Sequence, residues 1–226
     1  MSRFLGPIHH WLYEKIKFQE ELTQDIAKLA LQNNWLPGGE QFANSLTRTL
    51  SPLEEVIDES NIHGWLQDRI FDAEKRYGYL IAEILKCAED QIRHNKVSDT
   101  GSFDTERMEE LKREARAFGA RHAMKPETTP EEAYRTVENC FVSGMPCDRV
   151  NQVVEKTEDV LSWKETVDIH HGYHEGFGGG TETYYMLKAE IISGMLTGTG
   201  LEFRSEPWGQ SSQQSEAFYH FSYSSE

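Results

Sequence analysis

The chain has few cysteines, a shortage of positive charge and no long apolar run. Its 226 residues include three cysteines, and 23 basic residues stand against 38 acidic ones, for a formal net charge of −15. An odd number of widely spaced cysteines without a C-x-x-C pair is typical of reduced thiols in a cytoplasmic protein. A phosphate backbone requires a basic surface, so we expect no nucleic-acid partner.

The apolar segments are too short to enter a membrane. None approaches the roughly 20 residues that a membrane-spanning helix needs. The first twelve residues lack the apolar stretch and the small-residue cleavage site of a secretory signal. We therefore expect a cytoplasmic protein without a membrane segment.

Residues 1–145 show the periodicity of helices. Pro7 suits the first turn of a long helix that should end near Asn33, before the Pro37-Gly38-Gly39 stop signal. The longest helix is predicted over 60–94, where apolar residues recur at three- and four-residue steps. The sequence predicts four shorter helices: 40–49, one capped by Ser51, one capped by Asp104 or Thr105 and ending near 122, and 130–142.

From residue 146 onward the hydrophobic period changes to that of strands. Strands are predicted over 150–156 and 160–167, with Leu161, Trp163 and Val167 on one face of the second. A turn at 157–159 should join them. A helix over 181–196 and strands over 201–204 and 218–223 follow. Residues 146–226 thus read β-β-α-β-β, and the whole chain predicts an α+β fold in which the helical region packs on an antiparallel sheet as one unit.

A cluster of histidines and acids separates the second strand from the next helix, in the segment Asp168-Ile169-His170-His171-Gly172-Tyr173-His174-Glu175-Gly176. Imidazoles and carboxylates bind transition metals and act as acid–base groups near neutral pH. In a helix, His174 would lie one turn from His170 and also beside His171. One hypothesis is therefore a divalent metal (Zn, Mn, Fe or Ni) held by His170, His171 and His174.

The same cluster also fits a site without a metal. In that interpretation His174 acts in acid–base chemistry, and Asp168 or Glu175 orients it or completes the site. A third interpretation is a polar helix start whose histidines face solvent or form local hydrogen bonds.

A second pair of histidines, His9 and His10, lies in the first turn of the first helix. Neighbouring helical residues point in different directions, so only one of the two can face a site. We expect that histidine, with His10 preferred, to line a ligand pocket together with Tyr184 and His220. The pocket should lie between the helical region and the sheet.

The C-terminal region resembles the C-terminal half of the L-2-amino-thiazoline-4-carboxylic acid hydrolase-like family. The segments that carry the resemblance are Asp148-Arg149-Val150-Asn151-Gln152-Val153-Val154-Glu155-Lys156-Thr157, Glu165-Thr166-Val167-Asp168, Gly200-Leu201-Glu202-Phe203-Arg204 and Tyr219-His220-Phe221-Ser222-Tyr223. Asp168 and Tyr219 stand where the family typically carries cysteine. A more remote likeness is to ligand-binding domains related to 4-vinyl reductases. The resemblance implies a cytoplasmic hydrolase of a small cyclic or amide-like substrate.

Together, the cluster and the resemblance predict a small-molecule hydrolase that acts on a C–N or C–S bond. A metal-bound water would be its nucleophile if the histidines hold a metal. The alternative function is a sensor or carrier that binds a small molecule or haem without turnover. A third is an interaction protein in which the helix over 60–94 forms a homodimer interface.

Overall fold

The computed structural model describes residues 5–95, 100–143, 150–174, 180–206 and 216–223. For 87–95, 100–105 and His174 only the backbone is described. Within these ranges the chain forms eight helices and four strands. They are α1 (Pro7–Gln32), α2 (Gly39–Leu46), α3 (Leu53–Val56), α4 (Ile62–Asn95), α5 (Thr100–Arg121), α6 (Pro130–Cys140), β1 (Asn151–Lys156), β2 (Val160–Glu165), α7 (His171–His174), α8 (Gly180–Met195), β3 (Leu201–Glu206) and β4 (Ala217–Tyr223).

The predicted α+β fold is confirmed. The four strands form one antiparallel sheet in the order β1-β2-β4-β3. Helices α6 and α8 lie against the sheet, and α8 also packs along α5. Side chains from α1, α4, α5, α8 and the strands share one hydrophobic core, so the helical region and the sheet are packed together.

A buried ion pair joins the two longest helices. The Arg76 guanidinium of α4 forms a bidentate pair with the Glu20 carboxylate of α1, and both side chains are buried. The same guanidinium donates a hydrogen bond of 2.6 Å to the Leu46 carbonyl at the end of α2. Removal of Arg76 would leave Glu20 buried without its partner, which costs about 3–5 kcal/mol, whereas Arg76 also contacts Asp72 at 3.0 Å. This pair therefore fixes α1, α2 and α4 relative to one another.

As far as residue 86, to which the side chains of α4 are described, the apolar stripe predicted along 60–94 packs inside the chain, against α1 and α5. Its buried members are Ile62, Leu66, Ile70, Ala73, Tyr77, Leu80, Ile81 and Ile84. Phe71, on another side of α4, is exposed. A homodimer that used α4 would therefore have to use a different face of the helix from the predicted stripe.

The hairpin between β1 and β2 turns at the predicted residues. The Thr157 N–H donates to the Val160 carbonyl at 2.8 Å, and the Thr157 hydroxyl accepts from the Val160 N–H at 3.0 Å. Such a side-chain bond to the following backbone is the usual reason for threonine in a turn.

The inner face of β2 differs from the prediction at its last position. Leu161 and Trp163 point into the core, but the third inward residue is Glu165. Val167 lies beyond the strand and is 52 % exposed. Strand side chains alternate between faces, and β2 ends at Glu165, so Val167 never occupies the predicted core position.

Two predicted helix starts are wrong. Pro52, rather than Ser51, is the N-cap of α3, and the Ser51 carbonyl instead accepts a hydrogen bond from the Tyr13 hydroxyl at 2.7 Å. Helix α5 (Thr100–Arg121) already includes Thr100, ahead of the predicted cap at Asp104 or Thr105. Gly101 and Ser102 lower helix propensity but do not break a helix as proline would.

No helix in the described part of the chain combines the length and the apolar character that a bilayer crossing requires.

Candidate functional site

His170 lies in the interior, between α4 and α8. Its Nδ1 is 3.3 Å from Oε2 of Glu74, and the two side chains are 2 % exposed or less. The imidazole ring stacks on Tyr184 with a centroid distance of 3.9 Å and meets Tyr185 edge-on. One histidine of the predicted cluster is therefore buried against a carboxylate that is 96 residues away in the sequence.

Asp168 holds the backbone of this segment in place. Its Oδ1 accepts hydrogen bonds from the N–H groups of His170 and His171, both at 3.1 Å, and from the Tyr185 hydroxyl at 2.9 Å. This is the pattern of an aspartate that caps the start of a short helix. Burial raises the pKa of Tyr185, so its hydroxyl stays protonated and donates. Asp168 thus positions His170 through the backbone.

A second buried carboxylate, Glu165, lies at the end of β2. Its two oxygens accept from Lys188 Nζ at 2.7 Å and from the Tyr219 hydroxyl at 2.9 Å. Burial alone would raise the pKa of Glu165, but the charge and hydrogen bond of Lys188 outweigh burial and leave that pKa below its usual value. The charge of His170 acts in the same direction, so the histidine and this pair belong to one electrostatic environment.

Aromatic rings surround the Lys188 ammonium. Its Nζ lies 5.2 Å from the ring centre of Tyr219, 5.6 Å from that of Phe141 and 5.7 Å from that of Tyr185. A buried cation is retained when a carboxylate and π faces compensate for its lost hydration. Glu74, His170, Glu165 and Lys188 therefore form a layer of ionisable side chains between the helices and the sheet.

Of the pair His9 and His10, the buried one is His9, where the sequence favoured His10. His9 Nδ1 accepts a hydrogen bond from the Gly6 N–H at 2.9 Å, and its Nε2 lies 3.2 Å from Nε2 of His63. Burial, followed by the charges of His63 and His10, lowers the pKa of His9. His10 is partly exposed and lies 3.6 Å from Glu54. The contacts of both histidines are thus with their own helical end of the molecule.

His220 lies on the outer face of the sheet. It alternates along β4 with Tyr219 and Phe221, which face the core, and its Nδ1 is 2.8 Å from the Ser162 hydroxyl oxygen. Ser162, Arg204 and His220 line a shallow groove of about 720 Å³ on that outer face. The sheet therefore separates His220 from Tyr184, and the two do not line one pocket.

Only some of the predicted metal ligands have side chains that the structure describes. Within the described ranges, no three His, Cys, Asp or Glu side chains come together as a metal-binding group. His171 is exposed at the start of α7. The His174 side chain and all of Glu175 lie outside the described residues, so their predicted roles remain predictions.

Sequence reasoning missed Glu74, Glu165 and Lys188 as members of this site. Each stands at a position where the local pattern places a core residue. Glu165 follows Leu161 and Trp163 on the inward face of its strand, and Lys188 follows Tyr184 by one helical turn. A charged residue at a buried position of an apolar pattern is the signal that could have found them, because burial of a charge is costly unless it is paired.

Comparison of the chain with protein-family models, with curated proteins and with solved structures finds no match. The family resemblance therefore depends on the quoted sequence segments alone, and the function has to be argued from the residues of the site.

Proposed function

We propose that this protein is a small-molecule hydrolase-like enzyme that acts on a C–N or C–S bond, with His170 as its proton-transfer residue. The observation that carries the proposal is the contact of 3.3 Å between His170 Nδ1 and the buried Glu74 carboxylate. A carboxylate on one imidazole nitrogen selects the tautomer in which the other nitrogen can accept a proton, and it stabilises the imidazolium that results.

The reaction uses water as nucleophile. His170 Nε2 removes a proton from the water, and the water oxygen attacks the carbon of the scissile bond. The imidazolium then returns that proton to the departing nitrogen or sulfur atom, so that the histidine ends in its starting form. Asp168 and Tyr185 position the His170 backbone and do not take part in the proton transfer.

The surroundings of His170 suit a small uncharged or weakly polar substrate. Tyr184 and Tyr185 offer ring faces and edges on two sides of the imidazole. The His170 side chain is closely packed, so substrate would reach it only after this packing opens, as in enzymes whose sites close around the ligand. The sequence resemblance adds the expectation of a cyclic or amide-like substrate.

The test is turnover of a panel of lactams, cyclic imides, thiazolines and thioesters, with products followed by mass spectrometry. For a substrate that is turned over, His170→Gln and Glu74→Gln should each lower kcat by at least ~100-fold, the usual contribution of a general acid–base residue. His171→Ala is the matched control, because His171 is the exposed neighbour in the same segment. Full activity in a folded His170→Gln variant would show that His170 is not the proton-transfer residue.

A non-enzymatic ligand-binding protein is the second candidate function. The observation that favours it is the aromatic lining around His170, which suits tight binding of a flat molecule as well as it suits catalysis. A thermal-shift screen of the same panel separates the two functions. Stabilisation by a compound that is not converted, lost in Tyr184→Ala, would support a sensor or carrier.

A further inference from the structure

Lys15 is a second buried lysine, and its situation differs from that of Lys188. It lies on the inward side of α1, between Leu12 and Ile16, and is 2 % exposed. Its Nζ lies 3.7 Å from the centre of the Trp11 ring. Within the described residues Lys15 forms no ion pair, whereas Lys188 has Glu165 at 2.7 Å. A buried ammonium without a carboxylate contact is destabilising, and the face of the Trp11 ring offsets only part of that cost. Packing alone therefore does not explain a lysine here.

The groups that face Lys15 come from three helices. Trp11 belongs to α1, Glu138 and Cys140 to α6, and Lys188 to α8. Burial lowers the pKa of Lys15 to about 8, and the Lys188 charge adds to this, while Glu138 and Cys140 act in the opposite direction. Burial also raises the pKa of Cys140 to about 11, so that near neutral pH the thiol is uncharged and Glu138 is the group that opposes the shift. About a tenth of Lys15 is then a neutral amine at pH 7.

We propose that Lys15 is a carbonyl-reactive lysine whose Nζ forms an imine with a small aldehyde or ketone bound beside the Trp11 ring. Desolvation in an apolar site and a neighbouring cation are the two ways in which proteins prepare a lysine for this chemistry. Both are present, since Lys15 is buried against an indole ring and Lys188 is the cation. The activity does not depend on the proposed role of His170.

The reaction is balanced without a further reactant. The amine lone pair forms a C–N bond with the carbonyl carbon, and the oxygen becomes a hydroxyl group by taking up the proton that the nitrogen loses. The nitrogen lone pair then forms the C=N bond of the imine, and the hydroxyl group leaves as water with the second proton of the nitrogen. Nothing is oxidised or reduced, and addition of water reverses the sequence.

Reductive trapping tests the proposal. The folded protein is incubated with propanal and sodium cyanoborohydride, which reduces an imine to a stable secondary amine, and the modified lysines are mapped by peptide mass spectrometry. We expect Lys15 to be labelled at least ~10-fold faster than Lys17 near neutral pH, because more of Lys15 is the neutral amine. Lys17 is the matched control on the same helix, and its hydrogen bond to Glu14 raises its pKa.

The pH profile and two further samples complete the experiment. The rate at Lys15 should reach half of its maximum near pH 8. Lys15→Met should lose that label and keep the label on Lys17. A sample unfolded in urea is the positive control, because there Lys15 is accessible and its labelled peptide should be detected. Label on Lys15 only in the urea sample, with Lys17 modified in the folded protein, would overturn the proposal.

Discussion

Gly119 of α5 and Gly194 of α8 lie on opposite sides of one close helix crossing. A Cβ atom at Gly119 would be 2.0 Å from the Ile191 carbonyl oxygen, and one at Gly194 would be 2.1 Å from the Arg116 carbonyl oxygen. Each helix thus approaches the backbone of the other where a side chain is missing. Since α8 carries Tyr184, Tyr185 and Lys188, this crossing sets the distance of the candidate site from the helical region.

Substitution of either glycine by alanine should destabilise the protein. The added methyl group meets backbone atoms, which cannot move aside as a flexible side chain can, so we expect a loss of about 3 kcal/mol or more in the free energy of unfolding. Urea denaturation of Gly119→Ala and Gly194→Ala measures it. Gly172→Ala is the control, because a Cβ there meets nothing within 4 Å. Equal stability of all three variants would contradict the close crossing.

Because of the Glu165–Lys188 pair, we expect the folded protein to lose stability in acid. The folded-state pKa of Glu165 is lowered from 4.5, so its contribution is complete above that pH and is lost as the pH falls through the lowered pKa. At neutral pH, Glu165→Gln leaves Lys188 buried without its carboxylate and should cost ~3–5 kcal/mol.

The measurement is the free energy of unfolding of both proteins as a function of pH. The difference between wild type and Glu165→Gln should shrink as the pH falls below 4.5. Glu158→Gln, in the turn of the β1–β2 hairpin, is a matched control outside the buried layer. A difference that stays constant with pH would show that folding does not shift the pKa of Glu165, and one that shrinks as the pH rises above 4.5 would show that Glu165 is neutral in the folded protein.

Removal of the charge at Lys15 should raise the free energy of unfolding, whereas removal of the charge at Glu165 should lower it. Lowering of its pKa from 10.5 to about 8 means that the charged form destabilises the fold by roughly 3 kcal/mol below pH 8. Lys15→Met fills a similar volume without the charge and should raise the free energy of unfolding by about 1–3 kcal/mol at neutral pH. The gain should diminish between pH 8 and 10.5, where the folded protein is already neutral at this position. A destabilised Lys15→Met would instead show that the ammonium supports the fold.

Metal content distinguishes the two interpretations of the histidine cluster. Metal-binding histidines also commonly have a carboxylate on their second nitrogen, so the His170–Glu74 contact suits a metal ligand as well as a general base. Elemental analysis of untagged protein should show about one equivalent of zinc, manganese, iron or nickel if the cluster is a catalytic metal site. The acid–base assignment predicts that the His170→Ala/His174→Ala double variant has the same metal content as the wild type.

The sequence predicted most of the element order and the position in the chain of the histidine segment of the site. The helices that begin at Pro7 and Pro130 start as predicted, since proline at the first turn is a local signal. The change of hydrophobic period after residue 146 located all four strands of the described chain. The histidine cluster was correctly placed between β2 and α8, because its position depends on chain order alone.

The partners of the site residues could not be predicted in the same way. His170 meets Glu74 across 96 positions and Lys188 meets Glu165 across 23. Nothing in a local pattern states which two buried charges will pair, since that depends on how the helices cross. The same holds for Lys15, whose charge is visible in the sequence but whose burial beside Trp11 is not.

The α+β class, the main helices and strands, and the position of the histidine cluster along the chain can all be derived from local sequence, because hydrophobic period, proline and turn residues act over a few neighbouring positions. Three outcomes follow from the packing of the whole chain: His170 faces inward while His171 is exposed, His220 is on the far side of the sheet, and His9 rather than His10 is buried. Those outcomes depend on which surfaces pack together and on the cost of burying an unpaired charge.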